Sequence, residues 1–90
     1  MKESEDLAGI YSFWQGIKER FPEGVLLFGI GENYLTFGAD AEKAARVLGV
    51  SVLEKEGQKV CEFEREYLDI YLPLLVRAGH RVAVADNAGK

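Results

Sequence analysis

The sequence predicts an α/β (α+β) fold, a mixed sheet of about five strands flanked by three helices, and three observations carry it. Val25-Leu26-Leu27-Phe28-Gly29-Ile30 is apolar throughout, which suits a central strand covered on both faces. Three segments place apolar residues at helical spacing, and short β-prone segments separate them. Ninety residues support one core, so the chain reads as a single domain over 1–90, with its core over about 5–87 and a frayed tail at 88–90.

The elements follow in the order α-ββ-α-ββ-α-β. Leu7, Ile10, Tyr11, Trp14, Ile17 and Phe21 recur at helical spacing and predict an amphipathic helix over about 5–20. Gly9 and Gly16 weaken it by roughly 1 kcal/mol each relative to alanine, so packing must hold it. Pro22-Glu23-Gly24 ends it. After the apolar strand, Gly31-Glu32-Asn33 turns the chain into a second strand, Tyr34-Leu35-Thr36-Phe37.

Asp40 is the expected N-cap of the next helix. Ala41, Ala44, Ala45 and Leu48 form its narrow inward stripe, and Gly49 stops it. Val50–Leu53 and Lys59–Glu64 predict a hairpin closed by the polar residues 54–58. The last helix spans about 65–78, with Leu68, Tyr71, Leu72 and Leu75 inward and Pro73 expected to kink or fray it. Gly79 ends it, and residues 81–85 form the final strand. Leu27, Phe28, Ala44, Leu48, Leu72, Leu75 and Val82 are the expected core. Tyr67, Ile70, Leu74 and Val76 lie off the inward stripe and predict an apolar face for a second copy or a downstream domain.

Charge and composition narrow the function. The net charge is -4, with a sequence pI near 5.0, against the basic footprint of strong DNA binders. Cys61 is the lone cysteine, which excludes an internal disulfide and four-cysteine zinc sites and suits a reducing cytoplasm. The charged start Met1-Lys2-Glu3-Ser4-Glu5-Asp6 is unlike a signal peptide, and no apolar run reaches membrane-spanning length. A cytoplasmic protein with no cofactor, no metal and no membrane partner is expected.

No enzymatic constellation stands out. Gly29-Ile30-Gly31 lacks a third glycine and leads into a strand, so it is no dinucleotide fingerprint. Cys61 and His80 lack an orienting partner and read as a buried small hydrophobe and a surface histidine. Glu62, Glu64 and Glu66 could present carboxylates together, but a solvated edge or helix start explains them. Lys18, Arg20, Arg77, His80 and Arg81 are the candidate phosphate contacts, with surface solubility as the default explanation.

The run from Val25 through the Gly31-Glu32-Asn33 turn to Phe37, followed by Asp40–Ala44 and by Tyr71-Leu72, Leu75-Val76, Gly79 and Val82-Ala83, resembles the N-terminal mismatch-recognition domain, domain I, of the MutS family. The similarity covers about residues 11–87. The wording of residues 68–73 and 77–83 is closest to MutS-I-like domains in proteins carried on conjugative mobile elements. The resemblance implies a DNA-binding turn at Gly31, Asn33 and Leu35. In the family the turn reads Gly-Asp-Phe-Tyr-Glu, and its Phe and Glu touch the mispaired base. Asn33 and Leu35 stand at those two positions, and the family's following loop is shortened to residues 61–66.

The expected function is therefore a non-catalytic module linked to DNA processing, recruiting or accessory, with a degenerate reading turn. Its partners would be weakly bound DNA or a DNA-processing protein. The alternative is a weak DNA binder with Leu35 as wedge and Arg77, His80 and Arg81 on phosphates. A strand residue packed against a helix is the favoured reading of Leu35, with Tyr34 turned to the core.

Overall fold

The computed structural model describes residues 7–86. Helix α1 (Leu7–Lys18) leads to β1 (Val25–Ile30) and β2 (Asn33–Phe37). Then come α2 (Gly38–Leu48), the hairpin β3 (Leu53–Lys55) and β4 (Gln58–Glu64), and a 3-10 turn at Arg65–Tyr67. The chain closes with α3 (Leu68–Arg77) and β5 (Val82–Asp86). This is the order expected from the sequence. Residues 5 and 6 of the expected first helix and the tail at 88–90 lie outside the described residues.

The strands form one mixed sheet in the order β3-β4-β2-β1-β5. β1 runs parallel to β5, and every other pairing is antiparallel. Side chains of β1 alternate between two cores. Leu26 and Phe28 pack with Ile10 and Trp14 of α1, and with Leu35, Phe37 and Val60. Val25 and Leu27 pack on the other face with Ala41, Ala44 and Ala45 of α2, Leu75 of α3, Tyr34 and Phe63. A strand apolar at each position thus has a helical layer on both sides, as its sequence requires.

Of the expected core, Leu27, Phe28, Ala44 and Leu75 are buried. Leu48, Leu72 and Val82 are half-buried. Leu48 closes α2, and Val82 opens an edge strand, so solvent reaches both. Tyr67, Ile70, Leu74 and Val76 are exposed, as their position off the inward stripe predicts.

Four local expectations need correction. Asp40 does not cap α2. The helix starts at Gly38, Phe37 holds the cap position without a side-chain hydrogen bond, and Asp40 is buried inside the first turn. Its carboxylate serves β1 instead, accepting the N–H of Leu26 at 3.0 Å. Phe21 lies outside α1 and is exposed, because the chain turns tightly after Lys18 through Arg20 N–H to Ile17 O and Phe21 N–H to Lys18 O, both 2.9 Å.

The third correction concerns the hairpin. Its first strand is Leu53–Lys55, and Val50 to Val52 lie outside any strand. Glu54 and Lys55, expected in the turn, pair with Lys59 and Gln58, leaving the two-residue loop Glu56-Gly57. Both loop residues have positive φ, 52° and 81°, the type I′ pattern that matches strand twist. A short, charged edge strand needs no apolar alternation to form, so the hydrophobic pattern misplaced it. Finally, residues 65–67 form a 3-10 turn, and α3 spans Leu68–Arg77 with Pro73 inside it.

Candidate functional site

Gly31-Glu32 is a two-residue loop joining the cross-strand partners Ile30 and Asn33. Gly31 has φ 60° while Glu32 has no positive φ, the pattern of a type II′ hairpin, whose first loop position favours glycine. From this loop the pleat sends Asn33 and Leu35 to the α1 side and Tyr34 to the α2–α3 core. Leu35 is only 7% exposed and packs in the cluster of Ile10, Trp14 and Phe37. Asn33 is half-buried and shares with Leu35, Ile10 and Leu7 a hollow of about 450 Å3.

The rim of this hollow is acidic. Glu62 stands across from Leu35 and Glu64 across from Asn33. Glu32 and Glu62 both line the hollow, and Lys55 offsets only the second, at 3.3 Å. The Glu64 carboxyl is pushed above the ordinary glutamate value by its hydrogen bond and repulsion with Glu66, then by desolvation and by Glu32. Carboxylates so close resist simultaneous ionisation, and they would repel a phosphate approaching the turn. Among the described residues no group of three or more His, Cys, Asp or Glu side chains is placed to hold a metal.

Arg65 secures the turn from behind. Its Nε donates to Gly31 O at 2.6 Å and its backbone N–H to Glu32 O at 2.9 Å. The two Nη atoms reach the Asp86 carboxylate at 2.8 and 2.7 Å, a bidentate pair. The guanidinium also lies 5.0 Å from the Tyr34 ring centroid. This pairing holds the Asp86 carboxyl below the usual aspartate value. Gly29 makes the arrangement fit. A Cβ there would come within 2.8 Å of Tyr34 and 2.9 Å of Arg65 Nη2. Neither Arg65 nor Asp86 stands out in the sequence, although a glycine inside an apolar strand is a signal of close approach.

The candidate phosphate contacts lie elsewhere. Val25, at the start of β1, pairs with Val82, whereas the turn follows Ile30 at the end of β1. Arg77, His80 and Arg81 lead into β5, and Lys18 and Arg20 end and follow α1. All five therefore gather at the opposite end of the sheet from the turn, roughly 17 Å away for a six-residue strand. Lys18 is already engaged with Asp40 at 2.9 Å and Gly24 O at 3.1 Å. Arg20, Arg77 and Arg81 are exposed and His80 is half-buried. The structure does not bring these groups together with Gly31, Asn33 and Leu35.

Cys61 and His80 do not meet either, because β4 and β5 are separated by β2 and β1. Burial pushes the Cys61 thiol up to about 11, so it is held as the unreactive neutral form. No helix among the described residues is long and apolar enough to cross a membrane.

Comparison with known proteins agrees with this architecture. The family profile of MutS domain I matches residues 8–90. The DNA mismatch repair protein MutS of Christiangramia forsetii is 38% identical over 90 residues, 96% of this chain and 10% of its own length. MutS of Cytophaga hutchinsonii is 41% identical over 79 residues, 82% of this chain and 9% of the relative. MutS of Parabacteroides distasonis is 43% identical over 76 residues, 79% and 9% respectively. The chain thus spans about a tenth of the length of the curated relatives it matches. Since the profile match runs from α1 through β5 and beyond, this chain belongs to the MutS domain I family.

Proposed function

We propose that this chain is a non-catalytic recognition-type module, an accessory or recruiting domain in DNA processing, whose mismatch-reading turn is degenerate. The state of that turn carries the reading. Its scaffold is intact: a two-residue loop, Tyr34 in the core and Arg65 clamped to Gly31. The positions that the resemblance assigns to an aromatic ring and a carboxylate hold Asn33 and a buried Leu35. Asn33 has no ring to stack on a base, and Leu35 has no acceptor for a base edge. Leu35 is also occupied in the core, so acting as a wedge would cost its packing with Ile10 and Trp14. The acidic rim adds repulsion where a duplex would sit.

The relatives' names tie them to mismatch repair of DNA, and this chain would take a place beside DNA without the reading. The exposed apolar residues Tyr67, Ile70, Leu74 and Val76 support contact with a further domain or a second copy. A cytoplasmic setting accompanies this role. The mobile-element connection rests on residues 68–73 and 77–83 alone.

The test is a titration of the chain with a G·T-mismatched duplex and its fully paired counterpart. Equal and weak binding is expected at physiological salt. Clearly tighter binding to the mismatch, abolished by Leu35→Ala, would overturn the reading.

A further inference from the structure

The end of the sheet opposite the turn carries two adjoining grooves that the reading above does not use. The first, about 360 Å3, lies between the chain leaving α1 and the start of β5, lined by Arg20, Phe21, Arg81 and Val82 among others. The second, about 450 Å3, runs along the outer face of α1 past Phe13, Gly16, Arg20 and Phe21. Arg20 and Phe21 belong to both, so the two form one stripe.

Three features of the stripe point to a ligand. Phe13 and Phe21 are 70% and 50% exposed, an expensive position for rings that support no core. Arg20 and Arg81, with Arg77 before the same connection, make no ion pair among the described residues, although carboxylates outnumber cations in the chain. Gly16 sits inside a helix, where glycine is unfavourable, yet a Cβ there would meet nothing within 4 Å. Packing does not call for that glycine. It lines the second groove with Phe13 and Phe21, where a side chain would take up space.

We infer that this stripe of Phe13, Arg20, Phe21 and Arg81 binds single-stranded nucleic acid. Exposed rings interleaved with unpaired arginines match a strand whose bases stack on the rings while its phosphates meet the guanidinium groups. A paired duplex hides its base faces and would leave both rings in water. Glu23 also lines the first groove and opposes a phosphate there, so the anion contacts fall to Arg20 and Arg81. The proposal is independent of the mismatch reading, which concerns the other end of β1.

The experiment is fluorescence anisotropy of a labelled oligothymidylate of about 12 nucleotides with the full chain, over a salt series. Binding is expected to weaken with salt, with a log–log slope of about -1.4 for the two arginine–phosphate contacts on a single strand. The double variant Arg20→Gln/Arg81→Gln should bring that slope close to zero. Phe21→Ala should weaken binding roughly tenfold. Gly16→Leu adds bulk to the second groove from a position where a Cβ meets nothing within 4 Å, and should weaken binding while leaving the melting temperature unchanged or higher. Salt-insensitive binding or none, no effect of Gly16→Leu and Phe21→Ala in folded protein, or displacement of the oligonucleotide by polyglutamate at equal charge would each overturn the inference. So would tighter binding to the paired duplex. In all of these cases the equal, weak binding of matched and mismatched duplexes remains a separate result.

Discussion

Lys18 Nζ lies 2.9 Å from Asp40 Oδ2, tying the end of α1 to the first turn of α2 across the free side of β1. β2 has left β1 by this point, the last pair of their ladder being Phe28 with Leu35. The backbone groups of Leu26 would otherwise be stranded. Asp40 accepts its N–H at 3.0 Å and the Trp14 indole donates to its carbonyl at 2.8 Å. Two side chains thus complete a ladder that a strand abandons, as buried backbone polarity requires.

Removing Lys18 leaves a buried carboxylate without its counter-ion. Lys18→Met should destabilise the domain by about 2–4 kcal/mol, less than the ~3–5 of a fully buried pair because the ammonium is partly solvated. Asp40→Asn keeps an acceptor for Leu26 and should cost less than Asp40→Ala. Urea unfolding followed by the fluorescence of buried Trp14 measures all three.

Leu27 is fully buried between β1 and the α2–α3 layer. Leu27→Ala should cost ~2–5 kcal/mol, comparable to much of the stability of so small a domain. An unchanged melting temperature would contradict the central position of β1.

Thr36 Oγ1 is buried without a hydrogen-bond partner among the described residues. A hydroxyl desolvated and unpaired is unfavourable by ~1–3 kcal/mol, so Thr36→Val should stabilise the protein by about 1 kcal/mol. Thermal denaturation in calorimetry reads the shift as a higher melting temperature.

Two carboxyls at the turn end give stability opposite pH dependences. The Asp86 value is lowered by Arg65, so its contribution is complete above the ordinary aspartate value of ~4 and is lost as pH falls through the lowered one. The Glu64 value is raised by Glu66, so its folded form favours the proton and stability is lost as pH rises from the ordinary glutamate value through the raised one. Asp86→Asn should flatten the acid limb, and Glu64→Gln should flatten the second. Unfolding free energies measured across the acid range for the parent and both variants check the two signs.

The Cys61 thiol, raised by burial and then by Glu62, should react with a thiol-specific disulfide reagent at mildly alkaline pH only as fast as the domain opens. Immediate modification of the native protein would contradict the packing of β4. The same raised value means that folding stability falls as pH climbs above the ordinary thiol range of ~8.5.

Local order was written in the residues themselves. The unbroken apolar run of β1, the alanine stripe of α2 and the punctuation by Gly31, Gly49 and Gly79 act within a few residues, so periodicity and turn chemistry reveal them. The order of elements, the inward Tyr34 and the family resemblance followed from these. Position in space did not, because strand neighbours are chosen by pairing across long sequence separations. Only the sheet order set β5 beside β1 and so carried the basic residues to the far end from the turn. Only the packed fold drew Asp40 from a helix start to the amide of Leu26, and Arg65 across Gly29 to Asp86. The Asp40 carboxylate goes where a desolvated amide is left without a partner, and which groups are left is decided when the layers close.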